Sequence, residues 1–342
     1  MNHEIYIRRC IELAQNALGQ TYPNPMVGSV IVHNGKIIGE GYHRNAGGPH
    51  AEINAINSVE NPELLPESTI YVSLEPCAHF GRTPPCAHKI IETGFKKVVI
   101  GARDSHEKVN GRGIQLLQDA GIEVMSGVLE EECKALNKRF FTFHQKKRPY
   151  IVLKWAESAD GFIDHDFKPV SIGNSLSKQL VHTMRRQEHA IMVGTQTALN
   201  DNPSLTTREI YGRNPVRILT DFDLKVPSTF SIFNDQAETL IINSIKNSSE
   251  GNLHWIQTGK NDFLTHLMQA LYERQIQSVL VEGGSFTLQQ FIDAGLWDEI
   301  LVIKNPELTL KNGTRAPQLS AEVSEIQQLR ANILHFYRRH EA

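Results

Sequence analysis

Apolar residues recur at two different periods along this chain, and the alternation between the periods predicts its architecture. Ile5, Ile7, Cys10, Ile11, Ala14, Ala17 and Leu18 fall mostly at helical spacing over residues 3–18, with Gly19 as the stop. Residues 26–32 and 36–41 read instead as two strands joined by a turn at Asn34-Gly35. A helix follows over 50–56, then a strand over 69–74 that ends at Glu75-Pro76, then a helix over 84–93 with prolines in its first turn. A strand at 97–101, a helix at 113–120, a strand at 122–125 and a helix over 130–141 close the first alternation. Strands interleaved with helices imply a layered α/β domain.

A second alternation starts at Tyr150. Strands are expected at 150–154, 190–193, 216–220, 239–243, 278–281 and 299–303, and helices at 175–186, 262–274 and 286–294. Residues 305–320 carry little pattern, and residues 247–251 read as a surface loop. The chain has 342 residues, too many for one ordinary core, so the two alternations are assigned to two domains. The first spans 1–145 and the second 149–342, with Gln145-Lys146-Lys147-Arg148-Pro149 as the linker.

Charge and composition narrow the functions available. A formal net charge of -3 opposes a nucleic-acid partner. No apolar run has the length of a membrane span, and Met1-Asn2-His3-Glu4 opens an amphipathic pattern rather than a signal peptide. The four cysteines, Cys10, Cys77, Cys86 and Cys133, fit a reducing compartment better than a disulfide framework. A cytoplasmic enzyme is expected.

The chemistry concentrates in His50-Ala51-Glu52 and in the run from Pro76-Cys77 to Pro85-Cys86. One imidazole and two thiolates, from His50, Cys77 and Cys86, hold Zn²⁺ with a fourth position left for water. Glu52 is not a ligand; the H-x-E…P-C pattern gives it the proton transfers of a zinc deaminase. That general pattern has two residues between its cysteines, whereas eight separate Cys77 from Cys86. A closed structural zinc site is the ordinary alternative, and His79 or His88 offers it a fourth ligand.

With those residues assembled, the chain resembles the bifunctional deaminase/reductases of riboflavin biosynthesis, the RibD family, over essentially its full length. The long insert Ala78-His79-Phe80-Gly81-Arg82-Thr83-Pro84-Pro85 is typical of that family, and Pro23-Asn24-Pro25-Met26-Val27-Gly28 and Gly41-Tyr42-His43 match it as well. The resemblance implies a cytidine-deaminase-like three-layer domain followed by a dihydrofolate-reductase-like α/β domain. It also implies a phosphorylated pyrimidine substrate, 2,5-diamino-6-(ribosylamino)-4(3H)-pyrimidinone 5′-phosphate, deaminated at C2 of the ring. By matched position, Asn24, His43, His79 and Arg82 contact this substrate; relatives often carry lysine at the last of these. Turn chemistry between two prolines is the plainer account of Asn24, satisfied imidazoles of His43 and His79, and a solvated loop charge of Arg82.

In the second half, Ser278-Val279-Leu280-Val281-Glu282-Gly283-Gly284-Ser285 is a strand, two glycines and a helix start, a junction able to offer backbone N–H groups to a phosphate. It lacks the G-x-G-x-x-G spacing, and taken alone it reads more simply as a tight structural turn. A similar junction occurs at Val193-Gly194-Thr195. The family resemblance makes this half an NADPH-dependent reductase, matched at Lys154, Ser158, Asp160-Gly161, Arg185, Gly194, Thr197, Asp201-Asn202-Pro203, Leu205, Arg208 and Glu282-Gly283-Gly284. It implies cofactor contacts from Thr197, Asp201, Gly283 and Gly284, substrate contacts from Arg185, Leu205, Arg208 and Glu282, and a homo-oligomeric assembly. Arginines suit the substrate phosphate; a surface ion pair competes with that role for Arg208, and less so for Arg185. Lys154 and Asp201 are candidates for proton transfer, although a lysine at a strand end is commonly just solvated. Between Phe162 and Gly173 the chain departs from the family: Ser171 stands near a customary cofactor-contacting tryptophan and Pro169 near a customary serine, so no binding role is assigned there.

Two rival readings stay open on the residues alone. One is a deaminase of cytidine, guanine or tRNA adenosine with a second half that serves assembly. The other makes the second half a nucleotide-sensing domain that controls the first.

Overall fold

The computed structural model describes residues 2–78, 85–105 and 110–339, and the chain divides into two compact units, Met1–Lys147 and Arg148–Ala342. The first unit runs α1 (His3–Gln15), β1 (Gly28–His33), β2 (Lys36–Tyr42), α2 (Ala51–Asn57), β3 (Thr69–Leu74), α3 (Cys86–Thr93), β4 (Lys97–Ala102), α4 (Arg112–Asp119), β5 (Glu123–Ser126), α5 (Glu130–Leu136) and α6 (Lys138–Lys146). Among the described residues its sheet has five strands in the order β2-β1-β3-β4-β5. β1 pairs antiparallel with both β2 and β3, whereas β3, β4 and β5 are parallel.

Strand side chains alternate between the two faces of a sheet, and here both faces are covered. Ile31, Ile70, Val72, Val98 and Ile100 pack with Ala55 of α2, Ala87 and Ile90 of α3 and Leu117 of α4. The intervening residues Val30, Val32, Tyr71 and Val99 pack with Ile7 and Cys10 of α1, Cys133 of α5 and Phe141 of α6. The result is helix, sheet, helix: the three-layer fold expected of this half. The stretch expected as one helix over 130–141 is two, because Asn137 leaves helical geometry between α5 and α6. Its buried amide takes the Met26 N–H (2.8 Å) and donates to the Met26 carbonyl (2.8 Å), satisfying a strand-entry segment that has no ladder partner there. The helix expected from residue 84 starts at Cys86 with Pro85 as its N-cap, so the proline precedes the first turn instead of lying in it.

The second unit runs β6 (Tyr150–Ser158), α7 (Ser175–Gln187), β7 (Ala190–Gly194), α8 (Thr195–Asp201), β8 (Val216–Thr220), β9 (Thr239–Asn243), β10 (Ser248–Glu250), β11 (Leu253–Gln257), α9 (Phe263–Glu273), β12 (Ser278–Val281), α10 (Ser285–Asp293), β13 (Glu299–Asn305), β14 (Glu325–Leu329) and β15 (Asn332–Arg338). Among the described residues its sheet has ten strands, β10-β11-β9-β8-β7-β12-β6-β13-β15-β14. From β11 through β13 the neighbours are parallel, and β10, β15 and β14 finish the edges antiparallel. Parallel central strands are buried on both faces. Ile151, Leu153, Met192, Ile218, Leu240 and Val281 pack against Leu267 of α9 and Phe291 of α10, while Val152, Ile191, Val193, Leu219 and Leu280 pack on the side of Ala198 in α8.

Two expectations change in this unit. Residues 248–250 are not a loop but a short edge strand, β10, paired with β11. β6 continues four residues beyond the expected end at Lys154, to Ser158, because β13 pairs with it along its whole carboxyl half.

Candidate active sites

The first site is assembled at the carboxyl end of β3 and the starts of α2 and α3. α2 lies so close to β2 that a Cβ on Gly41 would sit 2.3 Å from the Ala55 nitrogen and 2.6 Å from the Ala51 oxygen, so glycine alone admits this approach. His50 is the N-cap of α2, which begins at Ala51 and carries Glu52 in its first turn. The His50 Nδ1, Cys77 Sγ and Cys86 Sγ atoms all lie within 4.8 Å of one another. His50 Nδ1 is 3.2 Å from Cys86 Sγ and 3.6 Å from Cys77 Sγ, and the Cys86 amide donates to Cys77 Sγ (3.3 Å).

The hydrogen bond from Cys86 pushes the Cys77 thiol down to about 4 against the opposing effect of burial, with His50 and the Cys86 amide adding to it. Cys86 is pushed up by the same partnership and by burial. One sulfur is thus readily ionised, and a divalent cation displaces the second proton. Two sulfurs and one imidazole nitrogen form a borderline-soft donor set that fits zinc. Among the described residues no fourth histidine, cysteine or carboxylate joins the cluster, so His88 does not close it. His79 and Arg82, expected to contact substrate, lie outside the described residues. Glu52 is 3% exposed. Burial raises its carboxyl above the usual range.

Asn24 and His43 meet beside the metal cluster. His43 Nδ1 bonds the Pro49 carbonyl (3.0 Å) and its Nε2 is 3.0 Å from the Asn24 amide nitrogen. A carbonyl only accepts, so Nδ1 carries the proton and Nε2 accepts from Asn24. The His43 ring stands edge-on to the His50 ring at 5.3 Å. The satisfied-imidazole account of His43 and its placement next to the metal ligand therefore hold together.

Glu75, which the sequence reading used only as a strand end, proves to be an anchor. Its buried carboxylate accepts from the amides of Asp104 (3.2 Å), Gly111 (3.0 Å), Gly113 (2.9 Å) and Ile114 (3.3 Å), tying the segment that carries Cys77 to the start of α4. Its own amide donates to the Ala102 carbonyl at the end of β4 (2.9 Å). A carboxylate followed by Pro-Cys was the available signal, but its partners are nearly thirty or more residues away.

The second site is a cavity of about 1110 Å³ along the carboxyl ends of the parallel strands of the second unit, where open α/β sheets bind ligands. Lys154, Arg185, Thr197, Asp201, Leu205, Arg208, Glu282, Gly283 and Gly284 all line it. At its centre Arg185 grips Glu282 through two bonds, Nε to Oε1 (3.0 Å) and Nη2 to Oε2 (2.9 Å), and Lys154 Nζ adds a third at 3.4 Å. The three side chains are only 8–13% exposed. Burial works to raise the Glu282 pKa, but Arg185 and Lys154 outweigh it and hold the carboxyl down at about 2.

This arrangement reverses the expected order of the arginines. Arg185 is committed to an ion pair, whereas Arg208 donates to Ser204 Oγ (3.2 Å) and pairs with no carboxylate among the described residues. Lys154 is also not a solvated strand end, since β6 runs past it and Glu282 neutralises it. Gly284 does not present its amide freely: that N–H donates to Thr197 Oγ1 (2.7 Å), locking the two expected cofactor residues together. A Cβ on Gly283 would stand 2.8 Å from the Gly194 nitrogen, so the two glycine junctions meet through bare backbone. Leu205 takes a positive φ of 53° and buries its side chain at 2% exposure among Val193, Ala198 and Leu219. Asp201 is raised by burial and by the neighbouring Asp164. The divergent stretch left without a role lines the same cavity through Phe167, Pro169, Val170 and Ser171.

Comparison with known proteins matches each half of the chain to a family. Residues 1–102 match the family of the cytidine and deoxycytidylate deaminase zinc-binding region, and residues 149–333 match the RibD C-terminal domain. The riboflavin biosynthesis protein RibD of Aquifex aeolicus is 37% identical over 352 aligned residues, covering 98% of each chain. That of Actinobacillus pleuropneumoniae is 39% identical, covering 94% of this chain and 89% of its own. Among solved structures, a diaminohydroxyphosphoribosylaminopyrimidine deaminase/5-amino-6-(5-phosphoribosylamino)uracil reductase from Thermotoga maritima superposes with a TM-score of 0.89 at 37% identity and 98% coverage of both chains. Acinetobacter baumannii RibD gives 0.90 at 30% identity and 99% coverage of both.

Proposed function

The chain belongs to the RibD family, and from that membership and the two sites we propose that it performs two consecutive reactions of riboflavin biosynthesis. The first is hydrolytic deamination of 2,5-diamino-6-(ribosylamino)-4(3H)-pyrimidinone 5′-phosphate, assigned to residues 1–145. The second is NADPH-dependent reduction of the ribosyl chain, assigned to residues 149–342, giving 5-amino-6-(ribitylamino)uracil 5′-phosphate. The single observation that carries this reading is the convergence of His50, Cys77 and Cys86 beside the buried Glu52, in a chain aligned with RibD proteins over nearly its whole length.

His50, Cys77 and Cys86 hold the metal. Zinc held there would supply a water that is nucleophilic at neutral pH. Glu52 would accept the proton of the water that attacks C2 and pass it to the departing amine nitrogen. Asn24, fixed by His43, presents its amide carbonyl to the pyrimidine. Ammonia leaves and the ring keeps a carbonyl oxygen at C2.

In the second half a bound NADPH would supply the hydride that reduces C1′ of the ring-opened sugar. The protein's own task there is positioning. Arg208 takes the substrate phosphate, since it alone of the two arginines is not already paired. The Arg185–Glu282–Lys154 network is a fixed floor under the reacting sugar, with Lys154 as the hydroxyl-side donor. Thr197 and Gly284, bonded to each other, shape the cofactor wall with Asp201 and Gly283.

No helix among the described residues is long and apolar enough to cross a membrane. The reading carries with it a cytoplasmic location, supported by four cysteines of which none is in a disulfide, and a homo-oligomeric state. The test is to incubate the zinc-loaded protein with NADPH and the diaminopyrimidinone phosphate and to identify products by mass. The expected product has exchanged one amino group for an oxygen, with ammonia released, and gained two hydrogens. A mass change in the ring with none in the sugar would remove the reductase half and favour a simple deaminase.

A further inference from the structure

Helix α7 presents more to the reductase cavity than Arg185. Lys178, His182 and Arg185 recur at i, i+4 and i+7, which puts them on one face of the helix, and all three line the cavity. Arg185 is committed to Glu282; the other two take no part in the chemistry described so far. His182 is 5% exposed. The Arg208 backbone N–H donates to its Nδ1 (3.2 Å). That nitrogen is therefore unprotonated, and the hydrogen of the neutral ring sits on Nε2. Burial and the charges of Arg185 and Arg208 lower the His182 pKa and keep the ring in this form. Nε2 has no hydrogen-bond partner among the described residues.

The segment that carries Arg208 is held at several further points. Arg185 Nη1 donates to the Thr206 carbonyl (3.4 Å), and the Thr207 amide donates to Asn214 Oδ1 (2.9 Å). Ser204 Oγ stands 3.1 Å from Thr206 Oγ1. The backbone is thus fixed while the Arg208 side chain stays exposed. Lys178 is exposed as well and pairs with no carboxylate among the described residues.

We propose that His182 is a specificity residue for the phosphate of the reductase substrate: Nδ1 seats the backbone of Arg208, and Nε2–H joins Lys178 and Arg208 in donating to the phosphate oxygens. The proposal rests on the reading that Arg208 takes that phosphate. Donor chemistry supports it. A phosphate monoester carries close to two negative charges and three acceptor oxygens, more than one exposed guanidinium satisfies. Lys178 brings a compact charge with three donors, and Arg208 brings a planar fork. A neutral Nε2–H adds a directional bond without a third cation to desolvate. Charge placement supports it too. Arg185 and Lys154 neutralise Glu282, so that carboxylate does not repel an anion. Glu209, the other carboxylate near His182, is exposed and screened by solvent.

Steady-state reduction at saturating NADPH, with the deaminated intermediate and with its dephosphorylated form, tests this. His182→Asn keeps an acceptor oxygen at the place of Nδ1 and removes the Nε2–H, so the seat of Arg208 stays and the phosphate bond goes. Its KM for the phosphorylated substrate is expected to rise on the order of tenfold. The kcat should change little and the KM for the dephosphorylated form should not move, the pattern of binding lost away from the reacting carbon. Lys178→Ala, at an exposed helix position, should act in the same direction. His182→Leu removes both bonds, so Arg208→Ala is expected to cost less in that background than in wild type. A KM that rises equally for both substrates, a kcat that falls at constant KM, or effects of His182→Leu and Arg208→Ala that simply add would overturn the proposal. A wild-type enzyme with the same KM for both forms would instead overturn the assignment of the phosphate to Arg208, and one that reduces neither would overturn the reductase reading itself.

Discussion

Glu52 sits two residues beyond a metal ligand, and its buried carboxyl is the group on which deamination turns. Replacing it by glutamine preserves size and leaves His50, Cys77 and Cys86 untouched, so Glu52→Gln should keep zinc at wild-type stoichiometry. Ammonia release should fall by about two to four orders of magnitude, the usual worth of a positioned general acid–base group. Metal analysis and an ammonia assay on one preparation check both halves; retained activity would falsify the proton-transfer role. At this scale the metal cluster was legible from sequence, since the chemistry restricts residue type and spacing together. The pairing of Arg185 with Glu282 was not. Those residues are 97 positions apart, one on α7 and the other just beyond β12, and only the tertiary fold makes them partners. Nothing in either local sequence says which of two arginines is already neutralised, and so the expected order of Arg185 and Arg208 came out reversed.

Whole elements place these side chains, and α2 on β2 is one of the close placements. A methyl group at position 41 would meet the backbone of Ala51 and Ala55 at 2.3–2.6 Å, and backbone cannot rotate aside as a side chain can. Gly41→Ala should therefore lift the start of α2 and carry His50 and Glu52 with it. The expected outcome is a protein that loses zinc to a chelator far more readily than wild type and releases ammonia slowly. Zinc retention equal to wild type would show that the contact is softer than its geometry. Most elements were legible because period two and period 3.6 differ plainly in buried segments. The failures share a cause. The break between α5 and α6 answers to Met26, more than a hundred residues earlier, and the length of β6 is set by its pairing with β13. Residues 248–250 become a strand only because β11 lies beside them. In each case a distant partner overrides a local preference, and a single sequence does not display distant partners.

At the scale of the molecule, each unit has its own sheet and its own buried clusters, and each has its own ligand. Ligands that bind only the folded form stabilise the unit that holds them. Zinc removal should therefore lower one thermal transition, that of Met1–Lys147, while NADPH should raise another, that of Arg148–Ala342. At a free concentration a hundred times its dissociation constant, NADPH contributes about 2.7 kcal/mol. For a unit of roughly 200 residues each kcal/mol moves the midpoint by about 2–4 °C, so a rise of about 5–10 °C is expected in the second transition and none in the first. Differential scanning calorimetry with and without chelator and cofactor separates the two effects. Glu52→Gln, which leaves both ligands in place, should move neither. A single transition shifted by both zinc removal and NADPH would mean that the two halves unfold as one, and the chemical independence of deamination and reduction would then need a different physical basis.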